Sequence, residues 1–258
     1  MCLIKKVTVY LERELKYKIM VMNHDNTFNN NSHNKVPPEE IDFNLLQKTA
    51  RENGIDLFGV AEVGEERKNF CLLPESLTLK LPWAVVMAAR VSPTVLATLK
   101  EGPNHLYFHH YRQLNFLLDR AALLIAVKIE EAGYSAMPVA ASQVIDWERQ
   151  RGHVSHRQLA QKAGLGWRGR NNLLVTPQWG AQVRLVSILT NFPLKPGRPL
   201  NLDCGTCRRC MAVCPAEAIK EEAAAFDYLA CYQKLKEFSK QKGIGQQICG
   251  LCVKACAK

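Results

Sequence analysis

At 258 residues, with 47% hydrophobic and 22% charged residues, the chain has the length and apolar content of an ordinary folded protein of one or two domains. Its formal charge of +10 favours acidic partners, whether an anionic redox protein, a phosphate-bearing cofactor or nucleic acid. Charged residues from Lys5 to Lys18 break any signal-peptide core, and apolar runs such as Ala121 to Val127 are far too short to span a bilayer, so a cytoplasmic protein with no membrane partner is expected.

The first 38 residues read as a disordered tail, because the stretch from Asn23 to Asn34 is asparagine-rich and cannot bury a core. Met20 or Met22 could be the true start. Order is expected from Pro37, with Ile41, Leu45, Leu46 and Ala50 at helical spacing until Gly54 stops the helix. Ile55 to Ala61 and Trp83 to Ala89 read as strands, and Ser92-Pro93 as a helix start. The longest helical pattern runs from His105 to Ala132, with Leu114, Leu117, Leu118, Ala121, Leu124, Ile125 and Ile129 on one face and Gly133 at its end. His109 and His110 point different ways on such a helix, so with Tyr111 they suggest packing or contact with a bound cofactor rather than a metal pair.

Ala136 to Val139 reads as an edge segment. The run from Asp146 to Arg157 concentrates titratable residues ahead of a helix capped by Ser155 and a glycine-rich turn, Ala163-Gly-Leu-Gly-Trp-Arg-Gly-Arg-Asn171. Glycines there let the backbone approach a ligand, and Arg168 and Arg170 supply charge for phosphate or carboxylate. The turn lacks the Lys-Ser/Thr pair of a Walker loop and does not match the dinucleotide fingerprint; a tight structural turn fits it equally well. Leu173 to Thr176 and Val183 to Thr190 flank Pro177-Gln-Trp-Gly180 as an expected hairpin, and the proline-rich stretch from Asn191 to Pro199 as a linker.

The chain ends in its strongest signal. Eight of the ten cysteines lie between Cys204 and Cys256 at metal-ligand spacings, which argues for a reducing compartment and leaves Cys2 and Cys71 as unpaired thiols. Cys204-x2-Cys207-x2-Cys210-x3-Cys214-Pro215 is a ferredoxin-type cubane run, whose fourth cysteine serves a second cluster. Cys249, Cys252 and Cys256 repeat its later spacing, with Gln246 where the first cysteine would stand and Cys231 left to supply the missing ligand. Pseudo-twofold logic gives one [4Fe–4S] cluster to Cys204, Cys207, Cys210 and Cys256, and the other to Cys214, Cys231, Cys249 and Cys252. Two structural zinc ions are the competing occupants, although zinc sites usually pair Cys-x2-Cys units 15–20 residues apart. Two clusters at about −2 each would lower the charge to about +6.

The glycine-rich turn continuing to Leu174, the segment from Ile188 to Leu194 and the eight-cysteine module together resemble the epoxyqueuosine reductase family, over roughly residues 40 to 258. The resemblance implies an α/β (α+β) fold: a nitroreductase-like cofactor and substrate domain at 39–194, then a small ferredoxin-like domain with two [4Fe–4S] clusters at 195–258. It also implies cobalamin, held by the 105–132 helix with Tyr111 and by Gly164, Gly166, Trp167, Arg168, Arg170 and Asn171. Electrons would come from an external low-potential donor of ferredoxin or flavodoxin type, and tRNA would be the substrate. Counting back from Ala163, the place of the family's acidic residue falls on Gln150, with Asp146 and Glu148 the nearest acids; either an insertion gives the role to Asp146 or the acid is absent, and His153 or His156 would then supply the proton. The family's C-terminal helical-repeat domain has no counterpart after Cys256, which Ala257 follows in place of proline, so a short form is expected. FMN in place of cobalamin, and a ferredoxin-type electron carrier without substrate chemistry, are the alternatives.

Overall fold

The computed structural model describes residues 41–257. The expected tail and the helix start at Pro37 to Glu40 lie outside the described residues. Helix α1 (Phe43–Glu52) begins where the Asp42 carboxylate accepts the Leu45 amide at 2.7 Å. It leads to strand β1 (Leu57–Glu62), a 3-10 turn at Gly64–Asn69, the short α2 (Glu75–Thr78) and strand β2 (Trp83–Arg90). Helix α3 (Pro93–Ala97) has its Ser92 cap and its proline in the first turn.

Helix α4 (His105–Glu131) runs 27 residues without glycine or proline. Asn104 caps it through the Tyr107 amide at 2.8 Å, and Gly133, at φ +86°, follows its end. The remaining elements are β3 (Ala136–Val139), α5 (His156–Lys162), β4 (Trp167–Arg168), β5 (Leu174–Val175), β6 (Val183–Thr190), α6 (Arg209–Ala212), a 3-10 turn at Ala223–Ala225, α7 (Tyr228–Gln241) and α8 (Leu251–Ala255).

The result is a mixed α/β fold built on a four-stranded antiparallel sheet of order β1-β2-β6-β3. Strand β2 pairs on both sides and is covered on both faces, which is why Trp83 to Ala89 is a continuous apolar run. Its side chains alternate between two cores. Val85 and Met87 face α1 and α4, while Ala84 and Val86 face α5. Pro138, which has no N–H to donate, sits on edge strand β3. On α4 the expected face is largely the buried one, but Leu124 is 37% exposed. It stands one residue, or about 100°, from buried Ile125, off the sheet-facing stripe.

One pairing expectation is overturned. Leu173 to Thr176 does not form a hairpin with Val183 to Thr190: β5 pairs with β4, and β6 joins β2 and β3 in the main sheet. A long apolar strand buries more area inside that sheet than against a two-residue partner. The Pro177–Gly180 turn is closed instead by the Thr176 and Gly180 backbones, at 2.8 and 3.0 Å.

Candidate metal and cofactor centre

The cysteines are carried on short elements that the rest of the fold holds in place. Cys210 lies in α6, Cys214 just after it, Cys231 in the first turn of α7 and Cys252 in α8. The segment around Cys249 packs against α3 and the start of α4: Ile244, Ile248 and Leu251 share a buried cluster with Leu96, Leu99 and Tyr107. Two close approaches require glycine. A Cβ on Gly180, at φ +60°, would meet the Cys256 carbonyl at 1.8 Å, and one on Gly250, at φ +87°, would press on Leu99 and Tyr107 at 2.7 and 2.8 Å.

The thiols influence one another mainly in two groups, with Cys210 acting on Cys252 across them. Burial pushes the Cys210 thiol up, and Cys256, Cys204 and Cys207 push it further. Cys256 is likewise raised, first by burial and then by Cys204 and Cys207, against hydrogen bonding from the Ala181 amide. Cys231 is pushed up to about 11 by burial, Cys214 and Cys249, and Cys252 well above the usual range by burial and then Cys249, Cys231 and Cys214. Cys207 is the exception. It is exposed, and the Arg209 amide and guanidinium lower it. All eight are free thiols. Among the described residues no group of three or more His, Cys, Asp or Glu side chains is placed to hold a metal ion.

Cys214, Cys231, Cys249 and Cys252 line one cavity of about 290 Å³, walled mostly by apolar groups. Its opposite wall comes from α4, the β4–β5 turn and β6. Tyr107 and Tyr111 meet edge to face at 6.2 Å, and the Arg184 guanidinium lies over the Tyr111 ring at 4.1 Å while donating to Asn115 Oδ1 at 3.1–3.2 Å. The Tyr111 and Ser142 hydroxyls share a hydrogen bond of 3.2 Å. Asn171, 3% exposed, also lines the cavity, and its Nδ2 has no hydrogen-bond partner among the described residues. A buried orphan donor facing a cavity fits an acceptor supplied by a bound group.

The other residues singled out from the sequence are dispersed. Gly164 and Gly166 serve close packing, where a Cβ would strike the Arg198 and Val175 carbonyls at 2.4 and 2.2 Å. Trp167 is buried in β4, and Arg168 donates to Asn172 Oδ1 at 3.1 Å. Arg170 is 12% exposed and turned toward the first cysteine loop, donating to the carbonyls of Gly205, Cys207 and Glu221 at 2.6–2.9 Å and to the Glu221 carboxylate. Asp146, His153 and His156 do not line the cysteine cavity. The Asp146 carboxylate accepts the Arg149 amide at 2.9 Å, and His153 Nδ1 bonds the Cys71 carbonyl at 2.8 Å. His156 is enclosed between Ser187 Oγ and the Ala140 carbonyl, both at 2.9 Å, and burial lowers it to about 4. Sequence reasoning missed Arg184, Asn172 and Lys234 on the cavity wall. For Arg184 a signal existed, a charge inside the apolar strand Val183 to Leu189.

This geometry has counterparts. No family model matches the chain. A reductive dehalogenase structure described as suggesting a mechanism for B12-dependent dehalogenation superposes with a TM-score of 0.64 at 20% identity, over 82% of this chain and 30% of that one. An epoxyqueuosine reductase solved with an epoxyqueuosine-modified tRNA-Tyr stem loop gives 0.58 at 18% identity, over 83% and 64%. The fold is therefore the one those two kinds of protein share. In sequence, the epoxyqueuosine reductase of Listeria monocytogenes is 41% identical over 71 residues, 28% of this chain and 19% of the relative. The chain is epoxyqueuosine reductase-like, and matches about a fifth of that relative's length. Among the described residues no helix is long and apolar enough to cross a membrane.

Proposed function

We propose that the protein is an iron–sulfur reductase with two parts. Residues 39–194 form a nitroreductase-like cofactor and substrate domain, and residues 195–258 a ferredoxin-like domain with two [4Fe–4S] clusters. The observation that carries this reading is the shared cavity of Cys214, Cys231, Cys249 and Cys252, which faces Tyr111, Asn171 and Arg184. The thiols of Cys231, Cys249 and Cys252, pushed up by burial and by neighbouring cysteines including Cys214, favour a cationic metal group between them, which takes up their charge as thiolates. Cys204, Cys207, Cys210 and Cys256 fit the other cluster by the same neighbour relations. Cys210 also pushes the Cys252 thiol up, which supports a short step between the two sets.

The wall opposite the thiols fits a flat cofactor bearing hydrogen-bond acceptors, and we assign it to cobalamin. Bound there, cobalamin would supply a strongly reducing metal centre, fed by the clusters one electron at a time. Tyr111 would offer a ring face held by Arg184 and by its bond to Ser142, and the Asn171 amide would donate to the bound group. Asp146 is the proton source we assign. Its carboxylate is bonded by the Arg149 amide in a loop open to water, whereas His156 is neutral near pH 7 with both ring nitrogens committed. Exposed Cys207 and its basic neighbours Arg208 and Arg209 form the side that would meet an external low-potential donor of ferredoxin or flavodoxin type. The substrate we propose is an epoxide-bearing tRNA nucleoside, as in the stem-loop complex of the structural relative.

Anaerobic titration with cobalamin tests this. Retained, reducible corrin is expected in the wild type, with weaker retention in Asn171→Leu. Asp146→Asn should keep the corrin and lose turnover. No retention would move the reading to a flavin enzyme or an electron carrier.

A further inference from the structure

A second cavity, of about 380 Å³, is lined by Asn69 and by the stretch from Gln150 to Gln158, and it shares no residue with the cysteine-lined cavity. Its wall is mainly polar. Arg151 and Arg157 supply charge, while Asn69, Gln150, Gln158 and Ser155 supply neutral polar groups. Ser155 Oγ accepts the Gln158 amide at 3.3 Å, which leaves its own O–H free to donate.

Arg157 is half-buried and makes no hydrogen bond or ion pair to any described residue. Arg168 beside it carries the same charge. Glu66, the carboxylate that acts on it, is already shared with Lys162 at 3.7 Å and with the Asn69 amide at 3.3 Å. Burial first and Arg168 second lower the guanidinium to about 10, as expected of a cation whose counter-charge is incomplete. A guanidinium in that position is rarely left bare, and its planar fork matches an oxyanion. Two arginines with the Ser155 hydroxyl and the Gln158 amide suit the three terminal oxygens of a phosphate better than a two-oxygen carboxylate, the Gln150 amide being given to the Trp147 carbonyl.

We propose that this cavity binds a phosphate group, gripped by Arg157 and Arg151 and completed by Ser155 and Gln158. The site shares no residue with the cysteine-lined cavity, though Arg151 pairs through its backbone with Asp146, the proton source assigned above. It also gives a role to the titratable run before the glycine-rich turn, of which the cysteine cavity uses no residue.

The test is a thermal-shift and calorimetric titration of the full chain, purified with its metal content intact, at constant ionic strength. The probes are inorganic phosphate and adenosine monophosphate, with chloride as the reference anion. The expected result is a saturable rise in Tm with phosphate, lost in Arg157→Gln. Arg151→Gln, which alters an exposed side chain and leaves packing alone, should weaken binding about tenfold, the scale of one charge-assisted contact. Adenosine monophosphate binding alongside phosphate supports the site and assigns a nucleotide ester. Phosphate binding alone supports it and assigns free phosphate. No phosphate-specific shift in the wild type, or equal shifts in the wild type and in both variants, would overturn the proposal.

Discussion

His156 illustrates how little a residue's type says about its state. Its Nε2 donates to the Ala140 carbonyl and its Nδ1 accepts from the Ser187 hydroxyl, so the neutral ring satisfies both partners and a second proton would leave Ser187 without an acceptor. The unfolded chain takes up a proton near 6.5 and the folded ring only near 4. Between these values the unfolded state binds more protons, so stability falls as pH drops through that window. We expect a loss of about 2 kcal/mol from this group between pH 7 and pH 4.5, on the scale of 1.36 kcal/mol per unit. Urea unfolding of wild type and His156→Gln should show a shallower pH slope in the variant, because acid loss of metal is common to both. Parallel slopes would remove His156 from the account. Asn171 makes the second residue-scale prediction. Its unpartnered amide is the donor assigned to the bound corrin, so Asn171→Leu should leave the potential of the neighbouring cluster unchanged in an EPR-monitored titration, and a shift to more negative values would place the amide on a cluster sulfur instead. Arg170 marks the limit of sequence reasoning at this scale. Its charge was visible in the glycine-rich turn, but that it would be given to the carbonyls of Gly205, Cys207 and Glu221 depends on a fold that brings together residues 35 to 51 positions apart.

Among the elements, the longest and most regular were the most legible. Helix α4 appears with its expected span because 27 residues free of glycine and proline, rich in Leu and Ala, follow an asparagine cap and end just before Gly133. The β2 run was equally plain. The pairing of β5 was not, since two strands on either side of a turn look like a hairpin whatever third strand competes for them. Nor could spacing reveal why Gly180 is glycine. In the fold its α-carbon abuts the Cys256 backbone, so Gly180→Ala introduces a contact at 1.8 Å against an atom that cannot rotate away, at a positive φ. The expected cost is about 3 kcal/mol or more, read as a fall in Tm, with iron content dropping toward half as the cluster that uses Cys256 is lost. Unchanged iron in a folded Gly180→Ala protein would contradict the role given to Cys256. Arg170→Met should loosen the Cys204–Cys207 loop by leaving three carbonyls without their donor, and so hasten cluster bleaching in air.

At the scale of the whole molecule the sequence carries a local argument for the chemistry and little about how the distant walls of the cavity come together. Seven of the eight cysteines, all but Cys231, stand at ferredoxin spacing and argue for iron–sulfur over zinc, because ligand geometry is written in local spacing. What they face could not be read off, because the cavity wall is assembled from α4, the β4–β5 turn and β6, elements scattered along the chain. The cavity joins the cysteine segment to that wall, and the central claim is that electrons pass between them. Metal analysis of protein purified without oxygen tests this claim most directly. The account predicts about eight irons per chain, with spectra of two interacting [4Fe–4S] clusters on reduction. Stoichiometric zinc with no iron would contradict it.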